Sequence, residues 1–118
     1  VAVTYAQVRD WALALPGVAE VHVEQWGHPT LRVNNKMFAS GAPDSTTMTV
    51  KASTVEQAEL IASDPGTYSV AAYVGRFGWV QVDLSTVDAG ELRELIVEAW
   101  RRTAPKRLAA TYEPPTAG

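Results

Sequence analysis

Two consecutive asparagines, Asn34 and Asn35, separate two short runs, Thr30-Leu31-Arg32-Val33 and Lys36-Met37-Phe38-Ala39. Asparagine tolerates positive φ better than most residues, and a two-residue type I′ connection needs positive φ at both central positions. The spacing therefore predicts a tight hairpin with Val33 opposite Lys36, Arg32 opposite Met37 and Leu31 opposite Phe38. In that register Leu31, Val33 and Phe38 share one face, and Arg32, Met37 and Ala39 share the other. One face is core and the other is open to a partner.

The remaining elements follow from periodicity. Thr4-Tyr5-Ala6-Gln7 is a capping box, and Tyr5, Val8, Trp11, Ala12 and Leu15 recur at helical steps until Pro16-Gly17 ends the run. Alternation from Val18 to Trp26 predicts a strand, broken at Gly27-His28-Pro29 ahead of the hairpin. After a loop at 41–45, Thr46 to Lys51 predicts a strand with Met48 and Val50 inward. A second capping box at Thr54-Val55-Glu56-Gln57 opens a short helix whose inner face is Val55, Ala58, Ile61 and Ala62, closed by Asp64-Pro65-Gly66. Tyr68 to Tyr73 has strand character, Val74 to Gly78 reads as a loop, and Trp79 to Leu84 alternates with Val80, Val82 and Leu84 on one side. Asp88 caps the last helix, whose stripe of Leu92, Leu95, Ile96, Ala99, Trp100 and Thr103 is the strongest in the chain, and Pro105 ends it or starts a further turn. Three amphipathic helices interleaved with five to six mostly antiparallel strands predict an α+β two-layer sandwich. The N-terminal, middle and C-terminal helices cover one sheet face and leave the other partly open.

A chain of 118 residues fits one domain, taken here as 1–112 with a flexible tail at 113–118. Hydrophobic residues at 47% and charged residues at 19% are the composition of a globular protein. No apolar run approaches the roughly 20 residues of a spanning helix, and the start lacks the layout of a signal peptide. The absence of cysteine removes disulfides, thiolate metal sites and cysteine nucleophiles. A cytosolic protein is the expectation. The net charge of −3 argues against binding nucleic acid through overall charge, although four basic residues, Arg101, Arg102, Lys106 and Arg107, fall within seven positions.

The order of motifs is itself informative: Ala-Leu-Pro-Gly-Val at 14–18, Trp-Gly-x-Pro-Thr-Leu-x-Val at 26–33, Lys-Met-Phe-Ala at 36–39, Trp-Val-x-Val-x-Leu at 79–84 and Glu-Leu-x-Glu-Leu-Ile at 91–96. Together they resemble the MmcQ/YjbR family over roughly Tyr5 to Tyr112. The resemblance implies a frataxin-like (CyaY-like) or secretion-chaperone-like α/β fold and a role in DNA binding, without defined catalytic residues. The family generally has glycine before the hairpin lysine, where this chain has Asn35, which also keeps the turn.

For DNA binding, Arg32, Lys36, Lys51 and Arg76 are the candidate phosphate contacts, and Phe77, Trp26 and Trp79 the candidate stacking groups. Arg101, Arg102, Lys106 and Arg107 form a secondary basic cluster, which a helix C-terminus also favours through its dipole. Two other classes stay open. A protein-interaction or chaperone-like module, with a second copy of the chain among its candidate partners, would use the open sheet face with Arg32, Met37 and Trp26 as contacts. A small-ligand pocket would be lined by Trp26, Tyr73, Phe77 and Trp79. His28 reads as an exposed turn residue, and His22 and His28 have no acidic residues spaced to complete a metal site, so no metal or cofactor is expected. Glu91, Glu94 and Glu98 read as a solvated helix edge. No phosphate-cradling glycine loop and no nucleophile elbow is present, which makes an enzyme the weakest class.

Overall fold

The computed structural model describes residues 3–23, 28–41, 46–71 and 75–112. Thr4 caps the first helix, α1 (Tyr5–Leu13), by accepting from the Gln7 N–H at 3.2 Å, while the Gln7 side chain accepts from the Thr4 N–H at 3.0 Å. Six strands follow or interleave with the later helices: β1 (Val18–Val23), β2 (His28–Val33), β3 (Lys36–Gly41), β4 (Thr47–Val50), β5 (Tyr68–Val70) and β6 (Val80–Asp83). They form one antiparallel sheet in the order β1-β2-β3-β4-β6-β5. Between them lie α2 (Thr54–Ser63) and a short 3₁₀ turn at Gly75–Phe77, and the chain continues through α3 (Ala89–Thr103) and α4 (Lys106–Ala109).

Asn34 and Asn35 both adopt positive φ, 52° and 63°, and Val33 and Arg32 pair with Lys36 and Met37 as the spacing predicts. One step further the register shifts at a bulge, so that Leu31 faces Ala39 and not Phe38. The physical consequence is that Phe38 and Ala39 are both buried, and Ala39 joins the core face that alternation denied it. Ala39 then meets Val50 on β4, which fixes the bulge from the other side.

The core lies between the sheet and the helices. Leu31, Val33, Met48, Val50, Val80 and Val82 supply the sheet side, and α3 buries Leu92, Leu95, Ile96, Ala99, Trp100 and Thr103, the stripe read from the sequence. The opposite face carries Arg32, Met37, Thr49 and Gln81, all partly exposed.

Several expectations are corrected, and others fall outside the described residues. The described part of the first strand ends at Val23, His28-Pro29 begins β2, and Trp26 and the 42–45 loop lie outside the described residues. The cap of α2 is Ser53, which accepts from the Glu56 N–H at 3.0 Å. Ile61 turns inward as expected, but its inward companions are Gln57 and Leu60, while Val55, Ala58 and Ala62 are exposed. The Gln57 amide explains the orientation: Nε2 donates to the carbonyls of Gly75 at 2.7 Å and Trp79 at 2.8 Å. The strand proposed for Tyr68 to Tyr73 is described only as Tyr68–Val70, and 72–74 lie outside the described residues. Trp79 is buried although alternation places it beside Gln81 and Asp83. Tyr112 is half-buried and packs edge-to-face on Trp100, with ring centroids 5.5 Å apart.

Candidate nucleic-acid interface

Antiparallel pairing sorts the connections between two ends of the sheet. Val18, Val33, Lys36, Val50, Val80 and Val70 stand at one end, so the Pro16-Gly17 corner, the Asn34-Asn35 turn, the 51–53 link and the Gly75–Phe77 turn all gather there. The helices extend the grouping. The last turns of α3 reach the same end, because Trp100 Nε1 donates to the Pro16 carbonyl at 2.9 Å. Leu108 of α4 lies against Gly17, whose φ is +74° and whose missing Cβ makes room for it. Asp64, Asp83, Asp88 and Glu91 belong to the connections and first helical turn at the other end.

The basic residues follow this division. Of the ten lysines and arginines, eight lie at the hairpin end: Arg32, Lys36, Lys51, Arg76, Arg101, Arg102, Lys106 and Arg107. Only Arg9 and Arg93 lie elsewhere. The primary and secondary basic groups read from the sequence thus share one end of the molecule, although they are distant in the chain.

They are not equivalent. Arg102 reaches Glu56 with both terminal nitrogens, at 3.2 and 3.0 Å, which ties α3 to α2 and raises the guanidinium pKa. Arg101 pairs with Glu98 at 3.1 Å and stacks 5.5 Å from the Tyr112 ring centroid. Arg32 lies along the outer sheet face, its Nε donating to Thr30 Oγ1 at 3.1 Å and its Nη1 to the Asn35 carbonyl at 3.4 Å, both neutral acceptors. Arg76 sits 4.8 Å from the centroid of Phe77, which is 61% exposed. Among the described residues, Lys36, Lys51, Lys106 and Arg107 have no ion-pair partner.

The stacking candidates separate. Phe77 stands in solvent with a cation above it, Trp79 is packed inside with its carbonyl held by Gln57, and Trp26 and Tyr73 lie outside the described residues. Phe77 and Trp79 therefore do not line a common aromatic pocket. Alternation alone missed two residues that place the site: Gln57, which ties the Gly75–Phe77 turn to α2, and Glu56, which neutralises Arg102. A capping reading begun at Ser53 would have found Glu56, since Ser-x-x-Glu is the better box.

Two carboxylate contacts complete the electrostatics. Burial raises the pKa of Glu20, but hydrogen bonds from Tyr5 and Arg9, the Arg9 charge and a bond from His22 outweigh it and hold the carboxyl below its ordinary value. Tyr68 donates to Glu91 at the acidic end, and its hydroxyl pKa is raised by burial and by that bond. Among the described residues, no group of three His, Asp or Glu side chains is placed to hold a metal ion, and no helix is long and apolar enough to cross a membrane.

A family model described as YjbR matches residues 13–102. Three curated mycobacterial proteins, among them the uncharacterised protein Rv2570 of Mycobacterium tuberculosis and the uncharacterised protein Mb2600 of Mycobacterium bovis, are 38% identical over 53 residues. That match spans 45% of this chain and 41% of each relative, so less than half the length of the curated relatives is represented. The crystal structure of Deinococcus radiodurans protein DR2400, described as a DUF419 domain, superposes with a TM-score of 0.76 at 20% identity and covers 97% of this chain and 83% of that one. The likeness carries the α+β architecture.

Proposed function

This chain belongs to the YjbR family, and from that premise, together with its separated charge, we propose that it is a non-enzymatic cytosolic domain that binds DNA through its basic end. The observation that carries the reading is the gathering of eight of ten basic side chains at one end of a chain whose net charge is −3. Phosphate neutralisation needs cations that can leave their counterions behind, and Lys36, Lys51, Arg76, Lys106 and Arg107 are free of carboxylate partners among the described residues. Phe77 adds a flat apolar surface beside the Arg76 charge, a combination suited to stacking an unpaired base. The acidic end repels the same polyanion, so the molecule approaches it in one orientation.

A protein partner on the outer sheet face is the second reading. It is favoured by the row of Thr49, Gln81 and Ser69, which the register sets side by side on β4, β6 and β5 with no charge among them.

A fluorescence-anisotropy titration of labelled single-stranded DNA tests the proposal. Lys36→Glu and Arg76→Glu should each weaken binding, and the equally charged control Arg93→Glu, two turns before Arg101 on α3 and in the groove it shares with Arg101, should weaken it clearly less. Equal losses for all three would mean that net charge alone matters, and the proposed interface would be wrong.

A further inference from the structure

We propose that the outer edge of β1 pairs antiparallel with β1 of a second copy of this chain, joining the two sheets across a twofold axis at Val21. β1 ends the sheet order, and no strand flanks its outer edge among the described residues. Its six residues, Val18–Val23, contain no proline, glycine or lysine, and its register against β2 runs without a bulge from Val18 opposite Val33 to Val23 opposite His28. The opposite edge strand, β5, is only three residues long. Folded proteins blunt long regular edges because an open row of N–H and C=O groups templates another strand. β1 lacks the proline, the bulge and the lysine that would blunt it, and its one charge on the helix-side face, Glu20 opposite Leu31, is paired with Arg9.

The register of the pairing follows from two observations. Thr30 Oγ1 donates to the Val21 carbonyl at 2.7 Å, so the Val21 carbonyl points toward β2. Backbone groups alternate along an antiparallel strand, so those of Glu20 and His22 point to the free edge. Three symmetric arrangements use them. One, centred on Glu20, sets Glu20 opposite Glu20 of the second copy, with like charges face to face. One, centred on His22, sets His22 opposite His22 and pairs only Val21 to Val23 within β1. The third, centred on Val21, sets Glu20 opposite His22 of the second copy, twice about the axis, and brings the two Val21 side chains together. Like groups directly opposite are unfavourable and opposite-character pairs favourable, which selects the third arrangement.

The side chains are prepared for it. Glu20 is held in place by the Tyr5 hydroxyl at 2.9 Å and Arg9 Nε at 3.0 Å, and His22 of the same chain, 69% exposed, lies 3.4 Å from its other carboxylate oxygen, a contact that the pairing exchanges for the same one across the axis. Val21, 36% exposed on the opposite face, is covered by its twin. The basic ends of the two copies then point in opposite directions, so this pairing stands independently of the DNA-binding reading.

Because the chain has no cysteine, single-cysteine variants report the register directly. Facing residues in the non-hydrogen-bonded position lie about 4.5 Å apart at Cα, within disulfide reach. Val21→Cys should therefore cross-link to a covalent dimer on mild oxidation. Ala19→Cys, exposed on the same face, should not, because its twin lies roughly 13 Å away at four strand residues. Wild-type protein should sediment at twice the 12.7 kDa chain mass, and His22→Glu, which sets carboxylates opposite one another, should shift it to monomer with an unchanged circular dichroism spectrum. A wild-type protein that stays monomeric at high concentration, or an Ala19→Cys variant that cross-links as readily as Val21→Cys, would overturn the proposal.

Discussion

Trp100 shows how one side chain ties the core to the candidate interface. It is fully buried, its indole N–H donates to the Pro16 carbonyl, and its ring receives Tyr112 edge-on. Replacing a buried Trp with Ala typically costs about 3 to 5 kcal/mol. Trp100→Phe keeps most of the packing but strands the Pro16 carbonyl, for about 1 to 3 kcal/mol. Urea unfolding should show both as a lowered midpoint, larger for Ala, with the slope unchanged. The buried tyrosines make a second prediction at this scale. Burial and the bonds to Glu20 and Glu91 raise the pKa of Tyr5 and Tyr68, so the unfolded chain releases these protons at lower pH than the folded one. Their stabilising contribution is complete below about pH 10, the ordinary tyrosine value, and is lost as pH rises beyond it. Glu20 acts in the opposite sense, since its lowered pKa contributes above the ordinary carboxylate value and is lost as pH falls through the folded one. Melting temperatures across pH should fall on both flanks, and tyrosinate absorbance should show two groups ionising only with unfolding. The Trp100 stripe was legible from spacing alone. The Tyr5–Glu20 and Tyr68–Glu91 partnerships were not, because each joins residues that only the fold brings together.

At the scale of elements, caps and stripes were readable where the signal is local. The capping box at Thr4, the Asp88 cap and the Asn34-Asn35 turn form as their residues dictate. The hairpin bulge was hidden because it depends on Ala39 meeting Val50 on the next strand, a long-range pairing that a two-strand argument omits. α2 was read out of phase for a similar reason: its inward face is chosen by the Gln57 amide bridging two carbonyls, whereas an apolar moment points to Val55, which is 66% exposed. Gln57→Leu should therefore destabilise the protein although it makes the helix more apolar. It removes the two side-chain bonds that tie α2 to the Gly75–Phe77 turn, at about 0.5 to 1.5 kcal/mol each, while the Gly75 and Trp79 carbonyls keep the backbone N–H groups of Gly78 and Ala71 as donors. Hydrogen exchange should quicken at Gly75–Phe77 before it does in α3, and the opposite order would reject the assigned role.

For the whole molecule, charge is organised by topology. Basic residues at positions 32, 36, 51, 76 and 101–107 look scattered in sequence, with only the last four visibly clustered. The antiparallel order and the direction of α3 collect them at one end, while Asp64, Asp83, Asp88 and Glu91 collect at the other. Net charge hid this separation, since a sum over the chain carries no position. The proposed DNA binding rests on that polarity, and the salt dependence of affinity measures it most directly. Neutralising Z phosphates of a single strand gives log Kobs a slope of about −0.7Z against log salt. With Lys36, Lys51, Arg76, Lys106 and Arg107 as the available cations, titrations of wild-type protein with single-stranded DNA should give saturable binding and a slope between about −2 and −3.5. No saturable binding at about 50 mM salt, or affinity indifferent to salt, would contradict the account.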